Sequence, residues 1–317
     1  MGTALASVLT VTLNPAIDKT LEAPGFRVGG HLRAQVKAVV PAGKGVNVAR
    51  GLARLGGRAV AAGFIGRDEE GMFAESLGAE GVQTVFVEVA GRTRTNTTVL
   101  DPVAHTTTHL REPGFEVGRA EIERLRAVLP DWVAARADAA VVFSGSLPTG
   151  IEPQDFASLI ALCSERGAEV IVDANGPALQ AAVESGAVDT LKPNLEELGE
   201  CLGRSVEVGE AAVAARRLLD RVGAVLLTLG ADGAFLVRPD LALGRRCRVP
   251  DAGVRNTVGC GDAFLAGWLR GRQVCADPAG ALSWAVAAGA ASAMAETTVG
   301  YTLADVQALL PRCEPIT

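Results

Sequence analysis

Two glycine-rich loops and one aspartate are the residues of this sequence best suited to chemistry. Residues 42–50, AGKGVNVAR, and residues 256–264, NTVGCGDAF, each run into a stretch of helical periodicity. Such a loop leaves backbone N–H groups unpaired at a helix N-terminus, which makes an anion site without any charged side chain. Neither loop is a common nucleotide fingerprint. Around Lys44, Ala38 stands where the first glycine of a P-loop belongs, and Gly45 where Ser or Thr should follow the lysine. After Gly259 and Gly261, Phe264 takes the third glycine position of GxGxxG. Asp262 opens a helix on which Phe264, Leu265, Trp268 and Leu269 share a face. Two readings are open for it: an N-capping side chain, or a general base beside a ready-made anion hole.

Other polar groups read more plainly. His105 and His109 are four apart, but in a Thr-rich strand that spacing separates them along one face and does not make a metal pair. Glu69 and Glu70 read as a charged turn. Cys163, Cys201, Cys247, Cys260, Cys275 and Cys313 form no CxxC pair, as expected of reduced packing thiols. Cys260 has no His or Lys beside it in sequence to activate a thiolate.

The elements that must position these loops alternate. Short β-type runs at 7–13, 59–65, 139–145, 169–174 and 224–230 are separated by helical candidates at 46–55, 120–136, 155–166, 211–222 and 262–271. Alternation of this kind predicts an α/β fold with a parallel sheet covered on both faces. One interval departs from it: residues 93–110, TRTNTTVLDPVAHTTTHL, read as two strands around an Asp-Pro turn, a hairpin outside the main sheet. The segment from Glu22 to Val39 is also strand-like. Segments of about 19–40 and 93–110 are expected to pair as a small β lid on a single domain spanning 1–317.

Composition narrows the function. Of 317 residues 49% are apolar and 21% charged, enough for a large core. A net charge of −6 with no Lys/Arg run excludes a nucleic-acid footprint. Trp284 to Ala295 is apolar but shorter than the ~20 residues of a membrane helix, and reads as a buried helix. The start, MGTALASVLTV, has no basic region or cleavage site, and Ala6 spoils a myristoylation pattern, so a cytoplasmic location with no membrane partner is expected.

TVGCGD (257–262) resembles the C-terminal signature of the PfkB or ribokinase family of carbohydrate kinases. Six further motifs follow the family's order: TLNPAID (12–18), AGKGVNVARGLARLGG (42–57), GFIGRDEEG (63–71), SGSLPTG (144–150), KPNLEEL (192–198) and TLGADG (228–233). TLNPAID, the Ala before GKGVNVAR, GRTRTN and PGFEV (113–117) are similar to the 1-phosphofructokinase branch, and tagatose-6-phosphate kinases share much of this pattern. The resemblance implies a ribokinase-like three-layer fold and an ATP- and Mg²⁺-dependent sugar-phosphate kinase.

It also implies roles by matching position. Asp262 would be the base, and the amides of Gly259, Cys260 and Gly261 would hold the moving phosphoryl oxygens. Asp18 would accept from sugar hydroxyls, with Gly43 and Asn47 lining the same pocket and Ser146 adding a contact. Lys44, Arg33 and Arg94 are candidates for the phosphate the sugar already carries. Lys192, Asn194, Thr228, Gly230, Gly233 and Thr257 would border the nucleotide, while Asn194 and Glu197 would organise Mg²⁺ through water. Asn194 and Glu197 also fit a capping box, and the two readings are compatible. The expected acceptor is D-fructose 1-phosphate; rivals are tagatose 6-phosphate, fructose 6-phosphate, and a regulator that binds sugar phosphate without turnover. A homodimer through the lid is the expected assembly.

Overall fold

The computed structural model describes residues 7–249 and 253–316; residues 1–6, which include most of the segment read for export signals, lie outside them. The strands are β1 (Ser7–Thr12), β2 (Ala16–Glu22), β3 (Gln35–Ala42), β4 (Ala59–Gly66), β5 (Gln83–Val89), β6 (Arg94–Asp101), β7 (Thr106–Arg111), β8 (Ala139–Ser144), β9 (Glu169–Asp173), β10 (Val188–Leu191), β11 (Val222–Thr228), β12 (Ala234–Val237), β13 (Ala242–Cys247) and β14 (Cys313–Ile316). The helices are α1 (Lys44–Arg54), α2 (Glu70–Ala79), α3 (Arg119–Ala134), α4 (Pro153–Glu165), α5 (Gly176–Ser185), α6 (Leu195–Leu202), α7 (Ala211–Ala215), α8 (Cys260–Val274), α9 (Pro278–Met294) and α10 (Leu303–Leu309).

Among the described residues, ten strands form the main sheet in the order β14-β13-β12-β11-β10-β9-β8-β1-β4-β5. From β11 across to β5 every pairing is parallel; β12, β13 and β14 add an antiparallel edge. Alternate residues of the central strands enter two separate cores. Leu9, Val11, Phe64, Phe143 and Val172 pack with α3, α4 and α5, while Val8, Ile65, Val142 and Ile171 pack with α1, α8 and α9. A strand buried on both faces loses its alternation of polar and apolar residues, which is why these runs read as continuously hydrophobic. The fold is the expected mostly parallel α/β sandwich of three layers.

A second sheet of four strands, ordered β3-β2-β6-β7, stands apart from the first. Within it β2 and β6 run parallel, and each outer strand is antiparallel to its neighbour. The strand-like reading of Glu22 to Val39 is corrected here: β2 ends at Glu22 and β3 begins only at Gln35. Pro24-Gly25 and Gly29-Gly30 interrupt the run, with Gly25 and Gly29 at φ 71° and 76°. His105 belongs to the β6–β7 turn at φ 53° and not to a strand, while His109 meets Thr98 Oγ1 through Nδ1 at 3.1 Å.

Two further expectations are corrected. Glu69 is buried, not a solvated turn: its Oε2 accepts from Thr93 N at 2.9 Å and its Oε1 from Arg92 Nε at 3.1 Å. It thereby fixes the point where β6 leaves the body. The helix read over 211–222 stops at Ala215, because Val222 pairs with Val188 and starts β11. The strands β5, β10 and β12 to β14 were not legible; β10 is four residues long and β13 carries two arginines.

Helix α8 is set in place by its neighbour. A Cβ on Gly267 would lie 2.6 Å from both Ala288 Cβ and Trp284 O, and one on Gly271 would lie 2.7 Å from Ala281 Cα. Only glycine lets α8 and α9 approach so closely. No helix among the described residues is long and apolar enough to cross a membrane.

Candidate active site

Asp173 ends β9, Lys192 follows β10 and Thr228 ends β11, where the parallel strands end, the usual position of a ligand crevice in an open α/β sheet. Gly259, at φ 82°, is the N-cap of α8, and a Cβ there would strike Thr298 Cγ2 at 2.5 Å. The residues after it turn directly into the helix, with Asp262 in its first turn. No side chain caps this helix, so the capping reading of Asp262 is set aside. Instead Asp262 is 6% exposed, and its Oδ2 accepts from Asn47 Nδ2 of α1 at 2.9 Å. Burial first, and then the negative charge of Asp173, push its carboxyl up from 3.8 to about 7, against the pull of Asn47, Lys44 and Lys192. A carboxyl poised there exchanges protons at neutral pH.

Asp173 is the group the sequence reading missed. It ends β9, is 1% exposed, and accepts from Lys44 Nζ at 3.3 Å, Lys192 Nζ at 3.2 Å and Ser144 Oγ at 3.3 Å. Burial alone would raise its carboxyl, but Lys192 and Lys44 outweigh burial and hold it below its usual value. Asp173 in turn raises the Lys44 ammonium, over the opposing effect of burial. Lys192 Nζ lies 3.6 Å from where a Cβ on Gly261 would be, beside the anion loop. A carboxylate at the end of a read strand was the available signal.

Asn194 and Glu197 form the capping box of α6: Glu197 N donates to Asn194 Oδ1 and Asn194 N to Glu197 Oε2, both at 2.8 Å. Burial above all raises the Glu197 carboxyl. Thr228 docks on this loop, its N donating to Pro193 O at 3.0 Å. Gly230 opens and Gly233 C-caps a one-turn 3-10 helix, and Gly233, at φ 105°, leaves 2.3 Å between a would-be Cβ and Arg245 O. Thr257 is exposed in the loop before α8. Cys260 Sγ contacts Asn256 O at 3.7 Å, and burial pushes its thiol up, away from a nucleophilic thiolate.

Around the small sheet, Asp18 Oδ1 accepts from Asn96 Nδ2 at 3.0 Å, and burial raises the Asp18 carboxyl. Gly43, at φ 123°, is the N-cap of α1 and packs on Thr12 and Pro15. Asn14 Nδ2 donates to Ser146 Oγ and to Leu147 O, each at 3.3 Å. Arg94 reaches Asn14 O through Nη2 at 3.0 Å and Pro15 O through Nε at 3.3 Å. Arg33 is exposed in the β2–β3 loop and no described contact brings it to the others. Asn14 Oδ1, Asn47 Oδ1 and Asn96 Oδ1 are buried without partners among the described residues. Buried acceptors of this kind need donors, and two of them, on the asparagines bonded to Asp262 and Asp18, suit a ligand with several hydroxyls.

Residues 11–303 match the model of the pfkB family of carbohydrate kinases. The chain is 37% identical to a 1-phosphofructokinase of Rhodobacter capsulatus over 83% of its own length and 82% of that protein. It is 33% identical to a 1-phosphofructokinase of Vibrio cholerae over 95% and 93% of the two chains. The crystal structure of phosphofructokinase-2 from Escherichia coli in complex with potassium superposes with a TM-score of 0.89 at 28% identity, covering 96% of this chain and 98% of that one.

Proposed function

The chain belongs to the pfkB family of carbohydrate kinases, and we propose that it moves the γ-phosphoryl of ATP onto the 6-hydroxyl of D-fructose 1-phosphate, giving fructose 1,6-bisphosphate and ADP. The observation that carries this reading is the buried Asp262, oriented by Asn47 and pushed up to about 7 at the start of an uncapped helix. The relatives named 1-phosphofructokinase support the choice of sugar.

In this mechanism Asp262 accepts the proton of the attacking hydroxyl. The amides of Gly259, Cys260 and Gly261 face the transferring group, where fixed donors stabilise charge as it develops. Lys44 and Lys192, both held by Asp173, keep positive charge beside the phosphates. Asp18, Gly43, Asn47 and Ser146 orient the sugar, and Arg94 binds the phosphate it already carries. Thr228, Gly230, Gly233 and Thr257 border the nucleotide.

The residues fit Mg²⁺ in a modest way. No cluster of three acidic, His or Cys ligands occurs among the described residues, and the Asn194 oxygen and one Glu197 oxygen already serve the capping box. That suits a cation held largely by phosphates and water, with Glu197 as an outer partner. When bound, it would neutralise charge on the β- and γ-phosphates.

The small sheet acts as a lid over the sugar. Its face opposite Asp18 exposes Val36 (54%), Val39 (48%) and Leu110 (55%), which supports a homodimer through this sheet. A monomer mass by light scattering at micromolar concentration would remove the dimer.

The kinase reading is tested by ADP release from MgATP with fructose 1-phosphate, fructose 6-phosphate and tagatose 6-phosphate in parallel. The highest kcat/KM is expected with fructose 1-phosphate. A preference for either other sugar keeps the kinase and exchanges the ends of the acceptor, and folded protein without turnover would sink the reading.

A further inference from the structure

The small sheet carries, on the same rung as Asp18, an arginine that forms no ion pair among the described residues. Asp18 on β2 is the Cα partner of Asn96 on β6, and Asn96 that of Arg111 on β7, so the three form one rung across the sheet. Laterally paired residues send their side chains to the same face, and the bond from Asn96 Nδ2 to Asp18 Oδ1 shows the first two doing so. Arg94, two residues before Asn96 on β6, shares that face.

The two arginines differ in how they are held but not in charge. Arg94 is oriented by two neutral carbonyls, Asn14 O and Pro15 O. Such acceptors fix the guanidinium fork without cancelling its charge. Arg111 is exposed. Neither arginine has an ion pair among the described residues. Burial first, and then the charge of Arg111, hold the Arg94 guanidinium below its ordinary value, and Asp18 feels both arginines. Two like charges that act on each other leave room for a further anion beside the single carboxylate of Asp18.

The alternatives on this side of the site are weaker. Lys44 is committed to Asp173, no hydrogen bond or ion pair among the described residues ties Arg33 to the site, and Thr98, the next residue of β6 on the same face, offers only a hydroxyl that meets His109.

We propose that Arg111 is the second arm of the site for the phosphate already present on the sugar, gripping it across from Arg94 while Asp18 and Asn96 take adjacent hydroxyls. The proposal rests on the sugar-phosphate kinase reading. It makes the acceptor's phosphate group, and not only its ring, a determinant of selectivity.

The test compares the full-length chain with its Arg111→Gln and Arg111→Lys variants, using MgATP and fructose 1-phosphate, or whichever sugar phosphate the unaltered chain prefers. Loss of a charge-assisted contact used equally in ground and transition states should raise the sugar-phosphate KM about tenfold or more, with kcat and the KM for ATP within about twofold. Lysine, which restores charge but not the fork, should fall between. A sugar-phosphate KM within about twofold in Arg111→Gln, beside an active unaltered chain, would overturn this proposal alone. A fall in kcat with ATP and sugar KM both disturbed would overturn it in favour of a structural role. An unaltered chain without turnover on any sugar phosphate would overturn the kinase reading and this one with it.

Discussion

The floor of the site and the small sheet above it are built on opposite principles. On the floor Asp173, Lys192 and Asp262 are 1%, 4% and 6% exposed, and each is mounted on an end of the main sheet or the first turn of a core helix. Lys192 pairs with Asp173, and Asn47 donates to Asp262. On the sheet, Asp18 and Arg94 are half-buried and Arg111 is exposed, and neither arginine forms an ion pair among the described residues. Phosphoryl transfer needs charges fixed before the reaction and shielded from water. Binding a charged sugar needs access and an unmet charge. Substitutions on the floor should therefore act on kcat and stability, and those on the sheet on KM.

The largest effect expected is that of Asp262→Asn, which keeps an acceptor for Asn47 but removes the base. Its kcat should fall roughly 10²–10⁴-fold, with ATP binding retained; a fully active variant would break the contrast at its strongest point. Stability should move the other way. The Asp262 carboxyl rises from 3.8 to about 7 on folding, so the folded state binds the extra proton, and the chain loses stability as pH climbs through that window. Thermal melts should show Asp262→Asn gaining on the unaltered chain between pH 5 and about pH 7. In the unaltered enzyme, kcat/KM should rise with pH through an acid limb near 7.

Asp173→Asn tests the same floor with the sign reversed. The two lysines hold Asp173 below its usual value, so its carboxylate stabilises the fold above that usual value and the benefit is lost as pH falls through the depressed one. Removing it leaves Lys192 buried against no anion, at a cost of about 3–5 kcal/mol. A clear drop in melting temperature at pH 7, shrinking as the pH is lowered through about 4, is expected. An unchanged melting temperature would mean that the floor is not held together by its charges.

Much of this division was legible before the fold was known, and the exceptions follow a pattern. The central strands and the helices from the two loops read correctly because burial on both faces makes long apolar runs and the loops end in glycine. Asp262, Asn47 and Lys192 sit in motifs with unusual residue spacing. Asp173 did not stand out, because a single aspartate after a strand looks like any strand end until two lysines from distant loops converge on it. Glu69 read as surface for the same reason: its partners, Thr93 and Arg92, are more than twenty residues away. Arg111 escaped because a rung joining three strands is a property of register, which depends on the turns between them and not on local composition.

The smallest effect expected is that of Asn96→Ala, and it discriminates most finely between floor and sheet. Asn96 makes one hydrogen bond to Asp18 and leaves Oδ1 unpartnered, so its loss removes about 1 kcal/mol of orientation and one free acceptor. The KM for the sugar phosphate should rise about fivefold, with kcat, the KM for ATP and the melting temperature nearly unchanged. If kcat fell instead, the sheet would be taking part in aligning the attacking hydroxyl over Asp262, and the separation of chemistry from recognition would fail at the rung that joins them.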